Sequence, residues 1–334
     1  MARIALVGEG VIGLSTALAI QKLSPSARLT IYSADPFEST CSYGPAGLFR
    51  VDNIGHEVNR KYAKETHHWF SSLCRKFPGS LTGVKLLSGH IQSDDKKSLE
   101  MQELANKDLV YNFRWLTDKE IKDQFENPAK YCVHFSAFGA EGQKYVPFLR
   151  DQLKDVQIIN KKVEDLDELG EQYDVVVNCA GLQAGKLAGD DDNMFPIRGI
   201  VLEVKAPWHK HFLYRDFDTF TIPKENVVAL GSVKQQGNFS MTATKDEIEE
   251  IMERYCRLQP AMREAEIQKV WCHLRPARKG GIRLEKQTKT TKSGKEYTVI
   301  HNYGHGGSGF TLGWGTALEA AKMFAGEVIA KAKL

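Results

Sequence analysis

Three glycines near the start of the chain have the spacing of a dinucleotide-binding turn. Gly8, Gly10 and Gly13 form the pattern GxGxxG, after a short apolar run at Arg3–Val7 and before apolar residues at helical spacing. The first glycine permits a tight turn, the second lets the backbone approach a pyrophosphate, and the third lets strand and helix pack closely. The phosphates would then meet the amides at the helix N-terminus. This context predicts a bound dinucleotide, either NAD or FAD.

An acidic residue is expected at the end of the second strand of such a unit, where it binds the adenosine ribose. Leu29–Tyr32 is a second short β-type run. Asp35 follows it at about the expected ~20 residues, although one or two positions late. Asp35 is therefore the predicted ribose ligand.

A second glycine-rich segment, Gly304–Gly309, follows a predicted strand at Tyr297–Tyr303 and precedes a long helix predicted from about Gly315. Successive backbone N–H groups in such a turn form a concave site for an electron-rich carbonyl or an anionic ring. The alternative is a plain surface turn. The number of glycines before an apolar helix favours a ligand site.

The remaining periodic segments indicate which elements must position these glycines. Helical spacing or strand-type runs occur at Val11–Leu23, His56–Lys76, Val84–Gln92, Asp94–Lys107, Leu109–Leu116, Val146–Leu153, Tyr173–Asn178 and Asp246–Leu258. The sequence predicts an α/β fold with a Rossmann-like, discontinuous dinucleotide domain and an inserted mixed-sheet α+β substrate domain. The first domain is predicted over 1–55, 140–195 and 290–334, and the second over 56–139 and 196–289.

Length and composition restrict the class of protein. A chain of 334 residues exceeds the size at which one core usually stops growing, which favours two domains. A net charge of +3 gives no electrostatic support for a nucleic-acid partner. No apolar run approaches the length that spans a membrane, and the N-terminus lacks a signal-peptide pattern. The cysteines are scattered without a CxxC pair, so we expect free thiols and no metal site. The oligomeric state stays open.

The last three residues, Ala332-Lys333-Leu334, are similar to the Ser-Lys-Leu peroxisomal address, which an import receptor reads. The alternative is a frayed helix end, because all three residues are good helix formers. We expect a peroxisomal matrix protein, with the cytoplasm as the alternative.

Eight segments spread over the chain together resemble one family. They are Gly8–Ala17, Gly44–Leu48, Val177–Gly181, Ala206–Trp208, Leu274–Pro276, Ile282–Glu285, His301–Gly307 and Trp314–Ala320. The chain resembles the D-amino-acid oxidase family, and within it most closely the D-aspartate oxidases, along essentially its whole length. The terminal Asn-Tyr-Gly-His-Gly-Gly block is the most specific element.

The resemblance implies non-covalently bound, extended FAD. The pyrophosphate would lie on the turn formed by Gly8, Gly10, Val11, Ile12 and Gly13. The other implied FAD contacts are Asp35, Pro36 and Val163 at the adenosine end, Cys41, Ser42, Gly47 and Leu48 along the flavin and its linker, and Gly306, Gly307, Ser308, Gly309, Phe310 and Thr311 at the pyrimidine end.

The resemblance also implies how a D-amino acid is bound. Arg275 would clamp the α-carboxylate, since a guanidinium fork meets a carboxylate with two hydrogen bonds. The carbonyl of Gly307 would accept a hydrogen bond from the substrate amine. Phe220 stands where many family members have a tyrosine that assists the clamp, unless the alignment across Arg215–Pro223 is shifted. No catalytic acid–base residue is implied, because the flavin performs the hydride transfer.

Substrate choice depends on two further cations. Arg215 resembles the arginine that binds the side-chain carboxylate in D-aspartate oxidases, and Lys234 resembles a second basic residue of those enzymes. The implied reaction is oxidative deamination of D-aspartate, and also of D-glutamate and N-methyl-D-aspartate, by dioxygen to the 2-oxo acid, ammonia and hydrogen peroxide. Arg215 and Lys234 as solvated charges would instead fit an oxidase of neutral D-amino acids. A non-catalytic FAD- or NAD-binding regulatory protein is the third hypothesis.

Overall fold

The computed structural model describes residues 3–52 and 57–332, which divide into two compact units. The first unit comprises Met1–Tyr43, Tyr145–Pro196 and Arg275–Leu334. The second unit comprises Gly44–Lys144 and Ile197–Leu274. The chain therefore leaves the first unit twice and returns to it twice.

The described residues form fifteen strands and ten α-helices. The strands are β1 (Arg3–Val7), β2 (Arg28–Ser33), β3 (Val84–Ser93), β4 (Tyr111–Trp115), β5 (Tyr131–Ala140), β6 (Gln157–Asn160), β7 (Val175–Asn178), β8 (Met194–Lys205), β9 (Phe212–Arg215), β10 (Thr219–Pro223), β11 (Val228–Gly231), β12 (Gln235–Gln236), β13 (Glu266–Arg278), β14 (Arg283–Thr290) and β15 (Glu296–Tyr303). The helices are α1 (Val11–Leu23), α2 (Glu57–Lys76), α3 (Gly79–Thr82), α4 (Lys96–Asn106), α5 (Asp118–Gln124), α6 (Gly142–Asp151), α7 (Leu166–Gly170), α8 (Ala184–Ala188), α9 (Lys245–Leu258) and α10 (Gly309–Ala332).

The first unit is built on a six-stranded sheet in the order β14-β15-β7-β1-β2-β6. All pairs are parallel except β14 with β15, and β1 lies between β7 and β2. Strands that are buried on both faces need continuous apolar runs, which Ile4–Val7 and Val175–Val177 supply. The register pairs Val7 with Tyr32 and with Asn178, so three strands end together where the first glycine turn begins.

Helices α1 and α10 pack together although they lie at opposite ends of the chain. A Cβ placed at Gly313 would lie 3.0 Å from Cδ1 of Ile12, so the glycine allows the helices to approach closely without displacing that side chain. The buried Asn302 side chain donates a hydrogen bond from Nδ2 to Oγ1 of Thr16, at 3.1 Å. The two glycine-rich segments of the sequence therefore belong to one packed structure.

The second unit is built on a nine-stranded sheet in the order β12-β8-β11-β10-β9-β3-β5-β4, with β13 also paired to β8. Its pairs are mostly antiparallel, whereas β3 and β9 run parallel. One face carries an apolar core against α9, which includes Leu213, Leu230 and Tyr255. The amphipathic spacing of α9 explains this packing, because its apolar residues recur on one side.

The α/β fold class is confirmed. The expected domain bounds stay a prediction, and the two compact units differ from them over residues 44–55, 140–144, 196 and 275–289. Residues 44–52 belong to the second unit, since Phe49 N–H donates to the Phe138 carbonyl at 2.7 Å. Residues 275–289 belong to the first unit, because β14 pairs along its length with β15. The predicted long helix begins at Gly309 rather than Gly315, and strand β5 was not predicted.

Candidate active site

The turn after β1 can only be formed by glycines. Gly8 has φ of +107°, and a Cβ there would lie 2.4 Å from the carbonyl oxygen of Cys179. A Cβ at Gly13 would lie 1.9 Å from the carbonyl oxygen of Gly8. Both positions are closed to any side chain, so the turn brings strand and helix together as a dinucleotide-binding turn requires.

The N-terminus of α1 has the properties of an anion site. Its N-cap residue is Gly10, which has no side chain that could accept hydrogen bonds from the first-turn amides. Ser42, which is buried, instead accepts a hydrogen bond at Oγ from Val11 N–H, at 3.0 Å. The amide groups and the positive end of the helix dipole favour a phosphate at this position. Ile12 is the second residue of the helix, so its N–H is one of the first-turn amides that a pyrophosphate could meet.

The residues expected at the adenosine end lie beyond the end of β2. Asp35 and Pro36 are exposed, and the Asp35 carbonyl accepts a hydrogen bond from Ser33 Oγ at 3.1 Å. Lys161 N–H donates to the Ser33 carbonyl at 2.9 Å, which draws the segment leading to Val163 to the same edge. Val163 packs its side chain into the core of the first unit. Any contact of Val163 with an adenine would therefore come from its backbone.

The second glycine-rich segment forms a short 3-10 turn at Gly306–Ser308, directly before α10. Gly307 is exposed, so its backbone is accessible to a ligand. A Cβ at Gly309 would lie 3.8 Å from Cγ1 of Val11, which brings this turn next to the start of α1. Phe310 and Thr311 are buried in the first turn of α10. The structure thus joins the two predicted parts of the cofactor site within one unit.

The four residues expected along the flavin are divided between the units. Cys41 and Ser42 belong to the first unit, whereas Gly47 and Leu48 belong to the second. Gly47 accepts a hydrogen bond at its carbonyl from Ala140 N–H at 3.1 Å, and Leu48 forms a bridge with Gly139. Burial raises the pKa of the Cys41 thiol to about 11, against the opposing charge of Arg275. The thiol is therefore neutral at physiological pH.

Arg275 lies beside the turn that carries Gly307. Its Cδ is 3.8 Å from the position that a Cβ on Gly307 would occupy. Two residues along β13, Ala277 forms an antiparallel bridge with His305, which fixes the strand against the glycine turn. The predicted carboxylate clamp and the predicted acceptor for the substrate amine are therefore neighbours.

An ionic network in which Asp191 and Arg283 are buried connects the strands beside this turn. Asp191 accepts hydrogen bonds at Oδ2 from Nε of Arg278, at 2.7 Å, and from the Tyr303 hydroxyl, at 2.8 Å. Arg283 donates to both carboxylate oxygens of Asp190, at 2.6 and 2.9 Å, and to the Tyr303 hydroxyl, at 3.0 Å. The network joins the end of β13 to the end of β15, and β15 ends directly before Gly304. The sequence analysis gave none of these five residues a role, although Arg283 and Tyr303 lie in segments that carry the family resemblance.

His305 lies inside the glycine segment and contacts the helix that follows it. Its Nε2 lies 3.0 Å from Oγ1 of Thr316 in α10. Burial lowers the pKa of His305 to about 3, so the ring is neutral at physiological pH. It connects the turn to the helix that follows.

In the second unit, Arg215 is the last residue of β9 and makes three hydrogen bonds within that unit. Its Nη2 donates to Asp94 at 3.0 Å and its Nε to Asp216 at 3.1 Å. Its Nη1 donates to the carbonyl of Asn127 at 3.2 Å. Two carboxylates therefore already neutralise the cation that was predicted to bind a substrate carboxylate.

Phe220 lies on the other face of the same sheet. The register pairs Phe220 with Tyr214, and it pairs Thr219 with Arg215. Cross-strand partners share a sheet face, whereas successive residues of a strand alternate between the two faces. The structure therefore does not bring Phe220 and Arg215 together. Lys234 is exposed, and its Nζ lies 3.5 Å from Oδ1 of Asp218.

A different cation occupies the Phe220 face. Tyr214 stacks on Phe220, with ring centroids 5.1 Å apart and planes inclined by 23°. The guanidinium carbon of Arg50 lies 5.2 Å from the centroid of the Tyr214 ring and 5.1 Å from that of Phe217. Sequence analysis passed over Arg50, although it follows the Gly47–Leu48 segment by two residues.

Two further properties concern the described residues as a set. Within residues 3–52 and 57–332, no group of three or more histidine, cysteine or acidic side chains is arranged to hold a metal ion. Over the same ranges, no helix combines the length and apolar character needed to cross a membrane.

Comparison with known proteins identifies the family. The family model DAO, described as FAD dependent oxidoreductase, matches residues 3–323. The chain belongs to this family. FAD is accordingly its cofactor, and the glycine turn, the start of α1 and the 3-10 turn before α10 are the features of the chain that fit it.

Relatives and solved structures agree with this assignment. The chain is 58% identical over 325 residues to D-aspartate oxidase 1 of Caenorhabditis elegans, covering 96% of each chain. It is 35% identical over 329 residues to D-aspartate oxidase of Homo sapiens, covering 96% of this chain and 94% of the human protein. The fold is similar to that of glycine oxidase from Geobacillus kaustophilus, with a TM-score of 0.80 at 16% identity, covering 97% of this chain and 95% of that one.

Proposed function

We propose that this chain is an FAD-dependent D-aspartate oxidase. The observation that carries the proposal is its likeness, over nearly the full length, to D-aspartate oxidase 1 of Caenorhabditis elegans at 58% identity. The fit of the glycine turn and of the α1 N-terminus to FAD supports the same conclusion from the structure. D-Glutamate and N-methyl-D-aspartate, which carry the same two carboxylates, are proposed as further substrates.

The reaction removes two electrons and two protons from the substrate. Bound FAD would supply the acceptor for the hydride from Cα and the route of the electrons to dioxygen, which is reduced to hydrogen peroxide. The resulting imine takes up water and releases ammonia and the 2-oxo acid. The protein must hold the substrate so that the Cα hydrogen is aimed correctly, and such positioning can account for several kcal/mol of the barrier, roughly 7–11 in favourable cases.

Arg275 and Gly307 supply this positioning in the first unit. Arg275 binds the α-carboxylate with two parallel hydrogen bonds, which fixes rotation as well as position. The carbonyl of Gly307 accepts a hydrogen bond from the amine, which is thereby oriented. The proximity of Arg275 Cδ to Gly307 supports the assignment, because carboxylate and amine are attached to the same carbon.

An oxidase of neutral D-amino acids is the second candidate. The observation that favours it is the pairing of Arg215 with Asp94 and Asp216, which occupies the cation predicted to select acidic substrates. The exposed Lys234, near Asp218, is a weak selector by itself because solvent screens such charges.

A substrate panel distinguishes the two candidates. The purified protein is expected to be yellow and to release hydrogen peroxide with D-aspartate, D-glutamate and N-methyl-D-aspartate faster than with D-alanine or D-methionine. Anaerobic D-aspartate is expected to bleach the flavin absorbance. Preference for D-alanine would establish the second candidate instead, and a yellow protein that is reduced by neither class would exclude both.

We further propose that the protein is imported into the peroxisomal matrix by a receptor that reads Ala332-Lys333-Leu334. Lys333 and Leu334 lie outside the described residues. The proposal is supported by the similarity of this tripeptide to a peroxisomal address and by the benefit of confining an enzyme that makes peroxide. An amino-terminal fluorescent fusion should enter peroxisomes, and deleting the three residues should leave it in the cytoplasm. Import of the truncated fusion would disprove the role of the tripeptide.

A further inference from the structure

One negatively charged side chain belongs to the pyrophosphate turn itself. Glu9 stands between Gly8 and Gly10, and Gly10 is the N-cap residue of α1. The Glu9 side chain is only 12% exposed, so water screens little of its charge. A carboxylate at this position has a cost for the protein, because the turn has to accept a pyrophosphate, which is itself an anion.

The counter-ion of Glu9 comes from α6. Nη1 of Arg150 lies 3.1 Å from Oε1 of Glu9. Over the described ranges, neither side chain has a second ion-pair partner. Both residues belong to the first unit, so the pair and the turn lie within one compact body.

The segment that carries Arg150 is fixed to both helices of the cofactor site. Gln21, in the last turn of α1, donates from Nε2 to the Lys154 carbonyl at 2.6 Å and accepts at Oε1 from Lys154 N–H at 3.1 Å. Tyr145 contacts Phe310 in the first turn of α10, with ring centroids 6.1 Å apart. Arg150 lies between these two anchored residues along the chain. The fold therefore keeps its guanidinium near the turn, and the ion pair does not have to do so alone.

An unpaired Glu9 carboxylate would disfavour FAD for two reasons. It would repel the phosphates directly. The amides in the first turn of α1 would also attract it, because negative groups are stabilised at a helix N-terminus. The hydrogen bond from Val11 N–H to Ser42 Oγ, at 3.0 Å, shows that side chains of this chain do reach these amides. Glu9 would then compete with the phosphates for the same groups.

We propose that Arg150 is a positioning residue for the cofactor, which neutralises the Glu9 carboxylate and holds it away from the start of α1. Arg150 acts through Glu9 and raises the affinity of the turn for the pyrophosphate of FAD. The inference goes beyond the proposed function, since it concerns the cofactor and holds for either class of substrate.

The test is a double-mutant cycle on the dissociation constant of FAD, measured by flavin fluorescence with apoprotein prepared from the holoenzyme. Arg150→Gln should raise this constant about 3–10-fold, the effect of one charge at a helix N-terminus. Glu9→Gln should leave the constant unchanged or lower it, because the competing charge is gone. In the double variant, the constant should lie within about 2-fold of that of Glu9→Gln, since Arg150 then has no carboxylate to hold.

Arg28→Gln is the matched control. It removes the same charge from an exposed arginine of the same unit, at the start of β2, whereas the turn follows the far end of the neighbouring β1. Its FAD dissociation constant should change by less than about 2-fold, because solvent ions screen a charge at such a distance.

Two further measurements distinguish electrostatics from a structural role. Arg150→Lys keeps the charge, so its constant should stay within about 3-fold of the wild-type value. The weakening in Arg150→Gln should shrink as ionic strength rises towards about 1 M, where screening acts beyond roughly 3 Å. If Arg150→Gln does not fold, Glu9→Gln and Arg150→Lys still test the proposal.

Three results would overturn the proposal. An equal loss of affinity in Arg150→Gln and in the double variant would mean that Arg150 acts without Glu9. An unchanged constant in Arg150→Gln would make the ion pair a surface contact only. Weaker FAD binding in Glu9→Gln than in the wild type would mean that the carboxylate assists the cofactor. None of these results depends on the turnover of D-aspartate, so the proposed function is tested separately.

Discussion

Replacing Asp191 by asparagine should loosen the substrate clamp without emptying the cofactor site. The Asp191 side chain is 1% exposed and accepts at Oδ2 from Arg278 and Tyr303. At Oδ1 it accepts from the side chain of Asn193 at 2.9 Å and from its backbone N–H at 3.1 Å. Burial alone would raise the pKa of Asp191, but the hydrogen bonds outweigh burial and hold this pKa below its usual range.

The magnitude follows from these contacts. Either orientation of the new amide points its NH2 group at donors, towards Arg278 and Tyr303 or towards Asn193. Removing one partner of a buried ion pair costs about 3–5 kcal/mol. At about 2 °C per kcal/mol for a chain of this size, the melting temperature should fall by roughly 6–10 °C. Because Arg278 follows Arg275 by three residues on β13, displacement by about 1 Å should lower kcat/KM for D-aspartate by up to ~10²-fold.

The assay combines thermal unfolding, flavin content and steady-state kinetics. Asp190→Asn is the matched control, since Asp190 bonds the same network through Arg283 but its side chain is 48% exposed. The control should lose no more than about 1 kcal/mol and keep its KM. An Asp191→Asn enzyme with unchanged melting temperature and unchanged KM would refute the idea that this network holds Arg275 in place.

Three further outcomes are expected. Gly13→Ala should yield colourless protein by absorbance, because its Cβ would lie 1.9 Å from the Gly8 carbonyl oxygen. The control Gly326→Ala should stay yellow, because a Cβ there meets open space. A yellow Gly13→Ala would contradict the turn geometry. Arg275→Met should retain flavin but lose turnover by at least ~10²-fold in the peroxide assay, and near-normal turnover would place the clamp elsewhere. Burial lowers the pKa of His209 to about 4. Below pH 6.5 the unfolded chain therefore binds more protons at this histidine than the folded chain does. The free energy of unfolding should fall as the pH decreases towards 4, by about 2 kcal/mol at pH 5. Denaturant titrations should show this loss reduced in His209→Asn, and a pH-independent difference between the proteins would exclude His209 as its source.

Several elements of both units were predictable because their signals are local. The glycine spacing, the apolar run at Val175–Val177 and the helix over Lys245–Leu258 each depend on neighbouring residues. Strand β5 was missed because its burial does not alternate: residues 135–140 are all buried.

The ionic network had no such local signal. Asp191 and Tyr303 are 112 positions apart, and nothing in either neighbourhood indicates the other. The sheet face on which Arg215 lies could not be predicted from the sequence either. A shift of one residue in the register of a strand moves every side chain to the opposite face. An arginine and a phenylalanine five residues apart can therefore look like pocket partners in sequence and still lie on opposite sides of a sheet.

The packing of α1 against α10 has a consequence for biosynthesis. Helix α1 leaves the ribosome early, whereas α10, which packs against it, is made only after about 290 further residues. At roughly 5–20 residues per second, this interval lasts on the order of 15–60 s. A prematurely ended chain lacks both α10 and the turn at Gly306–Ser308, so it cannot complete the flavin site. Chains that end before Gly306 should therefore stay colourless and release no peroxide.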